Sequence, residues 1–358
     1  MWRVAPIALE RPRRYPGIRL FSAAYAAAAV SVLVVGCSAA TGSAPAGSQP
    51  SRTTTPRATA SSPAVSRAHS PTVTLTLSMA AFTLPAAVSR PTVFATGERL
   101  LVVGGLTSAD TTTQGILRVD PTRGVVVQAG MLPVPVHDAA GAVVGGRDLV
   151  FGGGSTAVTS AVQDVTPGAL PQVVSHLPQP RADLVAISDG ETGYVLGGFD
   201  GSQGLTTILR TQDGRTFTVV GTLPVDVRYP AVATAAGSIW LFGGEHEGKQ
   251  VTDVQRIDLT TGRSSVTGHL PSPLAHAGAF TLGSAVFVAG GRTGTQATDK
   301  VMRFNPASLS FAAVGHLPAA RSDFGVAVVG GTAYLVGGEN PQPVDTVIQA
   351  RAQPGGSP

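Results

Sequence analysis

Two sequence markers repeat with the same spacing along most of the chain. A Leu-Pro pair places its proline at Pro85, Pro133, Pro178, Pro224, Pro271 and Pro318. A Gly-Gly pair begins at Gly104, Gly152, Gly197, Gly243, Gly290 and Gly337. Both series have successive spacings of 48, 45, 46, 47 and 47 residues. Because two unrelated markers keep one register, the sequence contains six copies of one structural unit.

Each unit holds four short apolar runs that are bounded by turn residues. In the last unit, residues 324–329 and 333–336 follow the Leu-Pro pair, and the second run ends at the double glycine. A third run, such as 301–305, follows a polar loop, and a fourth leads into the next Leu-Pro pair. Runs this short favour strands over helices. Four strands in a repeat of about 40–50 residues predict an all-β fold, a six-bladed β-propeller with four antiparallel strands per blade.

The two ends of the repeat region complement each other. After the last double glycine the sequence predicts only one more strand, at 346–351, so the sixth blade lacks a fourth strand. A spare strand at 73–77 precedes the first Leu-Pro pair. We therefore predict that the N-terminal strand completes the C-terminal blade, which leaves the array without open edges.

The repeat resembles the kelch motif, in which an apolar run and a double glycine are followed by two aromatic residues with six residues between them. Phe304 and Phe311 form such a pair, whereas Trp240 stands on a predicted second strand. The resemblance covers about residues 72–350 and implies a divergent kelch-repeat β-propeller of a bacterial lipoprotein type. Kelch propellers are most often binding modules, and six-bladed kelch-like proteins include sialic acid mutarotase.

The N-terminal segment resembles an export and lipidation signal. Five arginines precede an apolar stretch at 20–36, which is shorter than the ~20 residues that span a bilayer. This pattern predicts a signal peptide over residues 1–36. Val34-Val35-Gly36-Cys37 resembles a bacterial lipobox, which implies a lipid such as palmitate on Cys37 and a location on the outer face of the bacterial cytoplasmic membrane. An uncleaved anchor, or a plain signal beside an unrelated cysteine, is the alternative.

Composition divides the rest of the chain into a tether and a domain. Of residues 38–71, 28 are Ser, Thr, Pro, Ala or Gly, so we expect 37–71 to be a lipidated Cys followed by a disordered linker, and 72–358 to be the propeller. Eight arginines and one glutamate precede residue 72, while the remainder holds 17 basic and 20 acidic residues. No nucleic-acid partner is expected, because the domain lacks a basic excess. A single cysteine excludes an internal disulfide and a cysteine zinc cluster.

Candidate ligand-binding residues occur in the loops that enter the first strand of each blade. The set contains Arg90, His137, Arg181, Arg228, Tyr229, His276 and Arg321. Because first strands line the axis of a propeller, we expect a cationic ring, one Arg or His per blade, around one mouth of the channel. Such a ring suits an anionic or polyhydroxyl ligand. The alternative is that Arg181 and Arg321 pair with Asp183 and Asp323 and fasten adjacent blades.

The sequence contains no recognisable nucleophile or zinc signature, so no catalytic residue, metal or cofactor is expected. We expect a monomer that is tethered to the membrane and binds a protein or a glycan. Two alternatives stay open. One is a carbohydrate-active enzyme resembling sialic acid mutarotase, and the other is a structural scaffold of the cell envelope.

Overall fold

A computed structural model of the protein describes residues 73–354. The predicted signal peptide, Cys37 and the linker lie outside the described residues. Within the described range no helix is long and apolar enough to cross a membrane. The strands, in chain order, are β1 Val73–Thr83, β2 Val88–Ser89, β3 Thr92–Thr96, β4 Arg99–Val103, β5 Leu106–Thr107, β6 Gly115–Asp120, β7 Val125–Met131, β8 Ala140–Val144, β9 Arg147–Phe151, β10 Ala161–Asp164, β11 Gln172–His176, β12 Val185–Asp189, β13 Thr192–Leu196, β14 Thr207–Thr211, β15 Thr218–Thr222, β16 Ala231–Ala235, β17 Ser238–Phe242, β18 Glu245–His246, β19 Lys249–Gln250, β20 Asp253–Asp258, β21 Ser264–His269, β22 Gly278–Leu282, β23 Ala285–Ala289, β24 Arg292–Thr293, β25 Gln296–Ala297, β26 Lys300–Asn305, β27 Ser310–His316, β28 Gly325–Val329, β29 Thr332–Val336 and β30 Thr346–Pro354.

Twenty-four of these strands form six four-stranded antiparallel sheets, which are the blades. From the inner to the outer strand, blade 1 is β3-β4-β6-β7, blade 2 is β8-β9-β10-β11, blade 3 is β12-β13-β14-β15, blade 4 is β16-β17-β20-β21, blade 5 is β22-β23-β26-β27 and blade 6 is β28-β29-β30-β1. The first strand of every blade contacts the first strands of both neighbours, and β28 contacts β3. The predicted six-bladed propeller is confirmed.

The N-terminal strand closes the ring as predicted. β1 pairs antiparallel with β30, from Val73 opposite Pro354 to Met79 opposite Ile348, and resumes after an irregularity with Thr83 opposite Thr346. Leu75 is buried in a cluster that includes Phe287 of blade 5. The strand is longer than the predicted 73–77, because its second half continues along the edge of β30.

The core lies between neighbouring blades. Second strands such as β17 and β23 are buried along their whole length, while fourth strands such as β7 are mostly exposed. Phe304 and Phe311, the predicted aromatic pair, lie opposite each other with ring centroids 4.9 Å apart. Phe304 also packs edge-on against Trp240 of the preceding blade at 4.9 Å. Each such aromatic contact stabilises the interface by about 0.5–1.5 kcal/mol beyond the area it buries.

The double glycines join each blade to the next. The second glycine of every pair donates its N–H to a carbonyl in the following blade, and Gly338 donates to Val88 across the closure at 2.9 Å. The first glycine has no room for a side chain, because a Cβ on Gly243 would lie 2.1 Å from the Leu274 carbonyl oxygen. The repeated Gly-Gly marker is therefore required by close backbone contact between blades.

Candidate functional site

Six equivalent residues surround one end of the propeller axis, and we call them the mouth ring. Each is the fifth residue after the proline of a Leu-Pro pair: Arg90, Asp138, Asp183, Tyr229, His276 and Asp323. All six have a left-handed backbone, with φ between 52° and 59°. This conformation costs a residue with a side chain roughly 1–2 kcal/mol. The architecture thus accepts local strain at the same point in every blade.

Five backbone hydrogen bonds between successive ring residues maintain this strained conformation. The N–H of Arg90 donates to the carbonyl of Asp323 at 2.6 Å, which links blade 1 to blade 6. Asp183, Tyr229, His276 and Asp323 each donate in the same way to the ring residue of the preceding blade, at 2.9–3.0 Å. The ring residues are consequently fixed relative to one another, and their side chains are presented together at the mouth.

Two cavities that share lining residues lie along the propeller axis, one of them at the mouth ring. The six ring side chains line a small cavity of about 120 Å³. A larger cavity of about 610 Å³ follows the axis and is lined by the first strands of all six blades. The two share Pro91, Ala139 and Phe324, so the small cavity lies at the end of the large one. Most residues that line the large cavity are apolar, whereas the mouth ring is charged.

The structure brings five of the seven candidate residues to this mouth. Arg90, Tyr229 and His276 belong to the ring itself. His137 and Arg228 precede ring residues and contact them. The Nε2 atom of His137 lies 3.7 Å from Asp138, and Arg228 lies 2.6 Å from Asp183.

Arg181 and Arg321 lie elsewhere, two residues before the ring. Both are buried, with 1% and 2% of their surface exposed. The Arg181 guanidinium donates to the Gly197 carbonyl at 3.2 Å and to Thr207 Oγ1 at 2.9 Å. Burial lowers the pKa of Arg181 to about 10. The predicted arrangement of one cation per blade is therefore not what the structure shows, because these two arginines occupy an inner position.

Arg321 repeats this arrangement in the opposite blade. Its guanidinium donates to the carbonyls of Gly337 and Thr346 at 3.3 and 2.9 Å, and to Thr346 Oγ1 at 2.7 Å. Burial also lowers the pKa of Arg321. Neither arginine forms the predicted pair with the aspartate two residues later; their partners are oxygens of their own blades.

One ring residue is a buried histidine that is held between two carboxylates. His276 lies 2.6 Å from Asp323 through Nδ1 and 3.2 Å from Glu245 through Nε2. Burial alone would lower the pKa of His276, but the two carboxylates raise it to about 9. The imidazole is therefore charged at neutral pH. It also stacks on Tyr229, with centroids 4.0 Å apart.

The arginines of the mouth each contact carboxylates. Arg90 lies 3.0 Å from Asp138, 3.6 Å from Asp323 and 3.3 Å from Glu339. Burial would lower the pKa of Arg90, but these carboxylates raise it above its ordinary value. Arg292 contacts Asp323 at 2.9 Å and also pairs with Glu339.

The third arginine lies across the mouth. The Nε and Nη2 atoms of Arg228 contact Asp183 at 2.7 and 2.6 Å, and the guanidinium lies 4.4 Å from the centre of the Phe199 ring. Burial, together with Asp138 and Asp183, raises the pKa of Tyr229, so the phenol stays protonated. The mouth therefore presents an uncharged O–H beside fixed charges of both signs.

The KLHDC2/KLHL20/DRC7 Kelch-repeats domain matches residues 168–338, from the end of blade 2 to the double glycine of blade 6. The described residues form a kelch-repeat β-propeller. No curated protein matches the sequence. Among solved structures, that of YjhT is similar, with a TM-score of 0.67 and 16% identity over 76% of this chain and 99% of that one. At this identity the likeness concerns the fold alone.

The candidate residues that the sequence suggested did not include the carboxylates of this kelch propeller. Three of these carboxylates, Asp138, Asp183 and Asp323, are ring residues. The other two contact cations of the mouth: Glu245 contacts His276, and Glu339 pairs with Arg292. Alignment of the six units on the proline would have identified the ring, since the residue five places later is charged or aromatic in every unit. Selection by positive charge instead mixed three different positions of the loop.

Proposed function

We propose that this chain is a binding module, tethered by a lipid on Cys37 to the outer face of the cytoplasmic membrane, that recognises a protein segment or a glycan at the mouth ring. The observation that carries the proposal is the concentration of charged groups around one cavity, five of them on the strained backbone of the ring. Three arginines, one charged histidine and five carboxylates meet there. Buried ion pairs are weak stabilisers of folded proteins. A binding role accounts for a cluster that stability alone does not require.

The chemistry of the mouth suits a ligand with many hydrogen-bonding groups. Arginine forks and carboxylates offer donors and acceptors in fixed directions. Tyr229 adds a neutral hydroxyl and an aromatic surface next to them. Since the ring backbone is already ordered, a ligand would not bear the entropy cost of arranging these groups.

The test is an array of glycans and peptides probed with the full chain in detergent. We expect ligands from one class to bind, and Tyr229→Ala to reduce the signal at least about tenfold. The control is Arg215→Ala, because Arg215 is exposed in the turn between β14 and β15. Equal loss with both variants, or no loss with Tyr229→Ala, would contradict binding at the mouth. Absence of any ligand would favour the scaffold alternative.

The tether has a separate test. A fatty-acid probe fed to cells that express the chain should label the protein, and Cys37→Ala should abolish the label. Labelling that persists in Cys37→Ala would exclude lipidation at this residue, without affecting the binding proposal.

A second candidate is a carbohydrate-active enzyme resembling sialic acid mutarotase. The specific observation is that Asp138 lines the small cavity, where burial raises the pKa of its carboxyl to about 7. A carboxyl that titrates near neutrality is suited to proton transfer. NMR measurement of anomer exchange in reducing sugars, with the full chain and with Asp138→Asn, tests this. Equal exchange rates with and without protein would exclude it.

A further inference from the structure

The three aspartates of the mouth ring differ in how well their charge is balanced. Asp323 accepts from Ser322 Oγ at 2.6 Å and contacts His276 and Arg292 at 2.6 and 2.9 Å. Asp183 accepts a hydrogen bond from Arg228 Nε at 2.7 Å, and Nη2 of the same guanidinium lies 2.6 Å from it. Both carboxylates therefore have cationic partners close to them.

The negative charge of Asp138 is balanced much less well by nearby cations. Its one short contact with a cation is to Arg90 at 3.0 Å, and Arg90 is shared with two other carboxylates. His137 lies 3.7 Å away, and burial together with Arg90 lowers the pKa of this histidine, so it is uncharged at neutral pH. The Asp138 side chain is only 7% exposed. Such a carboxylate requires a proton or another cation.

The face of the propeller around the mouth ring also carries more acidic than basic residues. Its loops join fourth strands to first strands and second strands to third strands. They hold eleven acidic residues: Asp110, Asp138, Asp183, Asp200, Asp226, Glu245, Glu247, Asp299, Asp323, Glu339 and Asp345. They hold the charged His276 and six Arg or Lys residues: Arg90, Arg181, Arg228, Lys249, Arg292 and Arg321. A positively charged partner would be attracted to this face.

The size of the small cavity limits what can reach Asp138. Its volume of about 120 Å³ equals the share of roughly four waters in the liquid, at ~30 Å³ each. This volume accommodates an ammonium with its adjoining methylenes, or a guanidinium. The methylenes suit the apolar lining, which includes Leu184 and Phe324.

We propose that the mouth ring receives a lysine or arginine side chain from a partner protein, with its cationic head against Asp138. This inference rests on the proposed binding function and selects one class of ligand for the same site. It reverses the charge expected from the sequence, since the partner is basic rather than anionic. The inserted cation replaces the missing counter-charge of Asp138, and the acidic loops attract the basic segment around it.

The experiment uses three fluorescent peptide libraries with randomised flanks and one fixed central residue: Lys, norleucine or Glu. Binding to the full chain in detergent is measured by anisotropy. Norleucine has a side chain similar in shape to that of lysine without the charge. We expect the Lys library to bind at least about tenfold more tightly than the norleucine library, and Glu to bind least. Equal binding of Lys and norleucine would overturn the proposal.

Two variants locate the effect. Asp138→Asn keeps the shape and removes the charge, and it should abolish the advantage of Lys over norleucine. Asp189→Asn is the matched control, because Asp189 is exposed at the end of β12, at the opposite end of the propeller from the mouth ring. It should change binding by less than about twofold. An unchanged Lys advantage in Asp138→Asn would also overturn the proposal, and a thermal melt of each variant establishes that it is folded.

The outcomes separate this inference from the proposed function. If a glycan or a Glu-centred peptide binds and Tyr229→Ala removes that binding, the mouth is a binding site but its ligand is not basic. If no library or array ligand responds to any ring variant, both proposals fail.

Discussion

Arg181 and Arg321 provide the sharpest test of what holds the blades together. Each guanidinium is buried and is bonded to a double-glycine carbonyl and to the first threonine of the third strand, in blades that are three units apart. We predict that Arg181→Ala and Arg321→Ala destabilise the propeller. The reason is that each substitution removes charged donors and leaves buried carbonyl oxygens without partners.

The magnitude follows from the contacts. Arg181 makes two hydrogen bonds of 3.2 Å or less, and a bond from a charged donor contributes about 1.5–3 kcal/mol. Truncation also leaves a cavity. Relief of a desolvated cation offsets part of this loss. We expect a net decrease of about 3 kcal/mol in the free energy of unfolding for each variant.

The chain supplies its own control for this prediction. Val88, Val136, Val227 and Leu274 occupy the corresponding position in the other four blades. Arg181→Leu keeps apolar volume at that position but removes the same donors, so it should avoid the cavity part of the loss while keeping the hydrogen-bond part, and should be less destabilising than Arg181→Ala.

Urea unfolding followed by circular dichroism measures all of these variants. The two Ala substitutions should also add within about 0.5 kcal/mol, since the blades are far apart. Unchanged or increased stability in both Ala variants would refute the reasoning and would mean that these guanidiniums are not needed by the fold.

Three further predictions address closure, the glycines and the mouth. A chain that begins at Ala81 lacks most of β1, so its melting temperature should be well below that of a chain that begins at residue 72, or it should aggregate. Equal melting temperatures would disprove the closure. Gly243→Ala should lower the free energy of unfolding by several kcal/mol, because its Cβ would lie 2.1 Å from a carbonyl oxygen. The control Gly237→Ala has a similar φ and nothing within 4 Å of its Cβ, so it should cost about 1 kcal/mol. Similar losses for both variants on urea unfolding would contradict the close-contact explanation. The pKa of His276 in the folded protein is raised to about 9 from an ordinary 6.5, so its contribution to stability is complete below pH 6.5 and is lost as the pH rises through 9. His276→Gln should flatten this decline in the free energy of unfolding. The same dependence of stability on pH in the variant would exclude a charged histidine.

The sequence predicted the backbone of this protein well, because the backbone depends on periodic markers. The predicted third strand of blade 5, at 301–305, is observed at Lys300–Asn305, and the predicted second strand of blade 6, at 333–336, is observed at Thr332–Val336. The double glycines are required by contact between blades in every unit. These features repeat six times, so a single sequence contains six observations of each.

The composition of the mouth was harder to predict, because it depends on single-residue offsets within a loop. Arg321, Ser322 and Asp323 are adjacent in sequence, yet Arg321 is directed into its own blade and Asp323 into the mouth. The left-handed backbone of the ring residue determines this difference, and neither Leu-Pro nor Gly-Gly reports it. Positive charge in the loop was therefore a poor guide to which side chains surround the axis.

Hydrogen exchange of the full chain, with and without a bound ligand from the array, tests the central claim that the mouth ring is the binding site. We expect slower exchange at the backbone amides of the ring residues and of the loops that carry Glu245 and Glu339. The turns at Gly97, Gly190, Gly237 and Gly283, which join first strands to second strands at the opposite end, should exchange at unchanged rates. Slower exchange at those turns or along the outer strands, with none at the ring, would contradict the account.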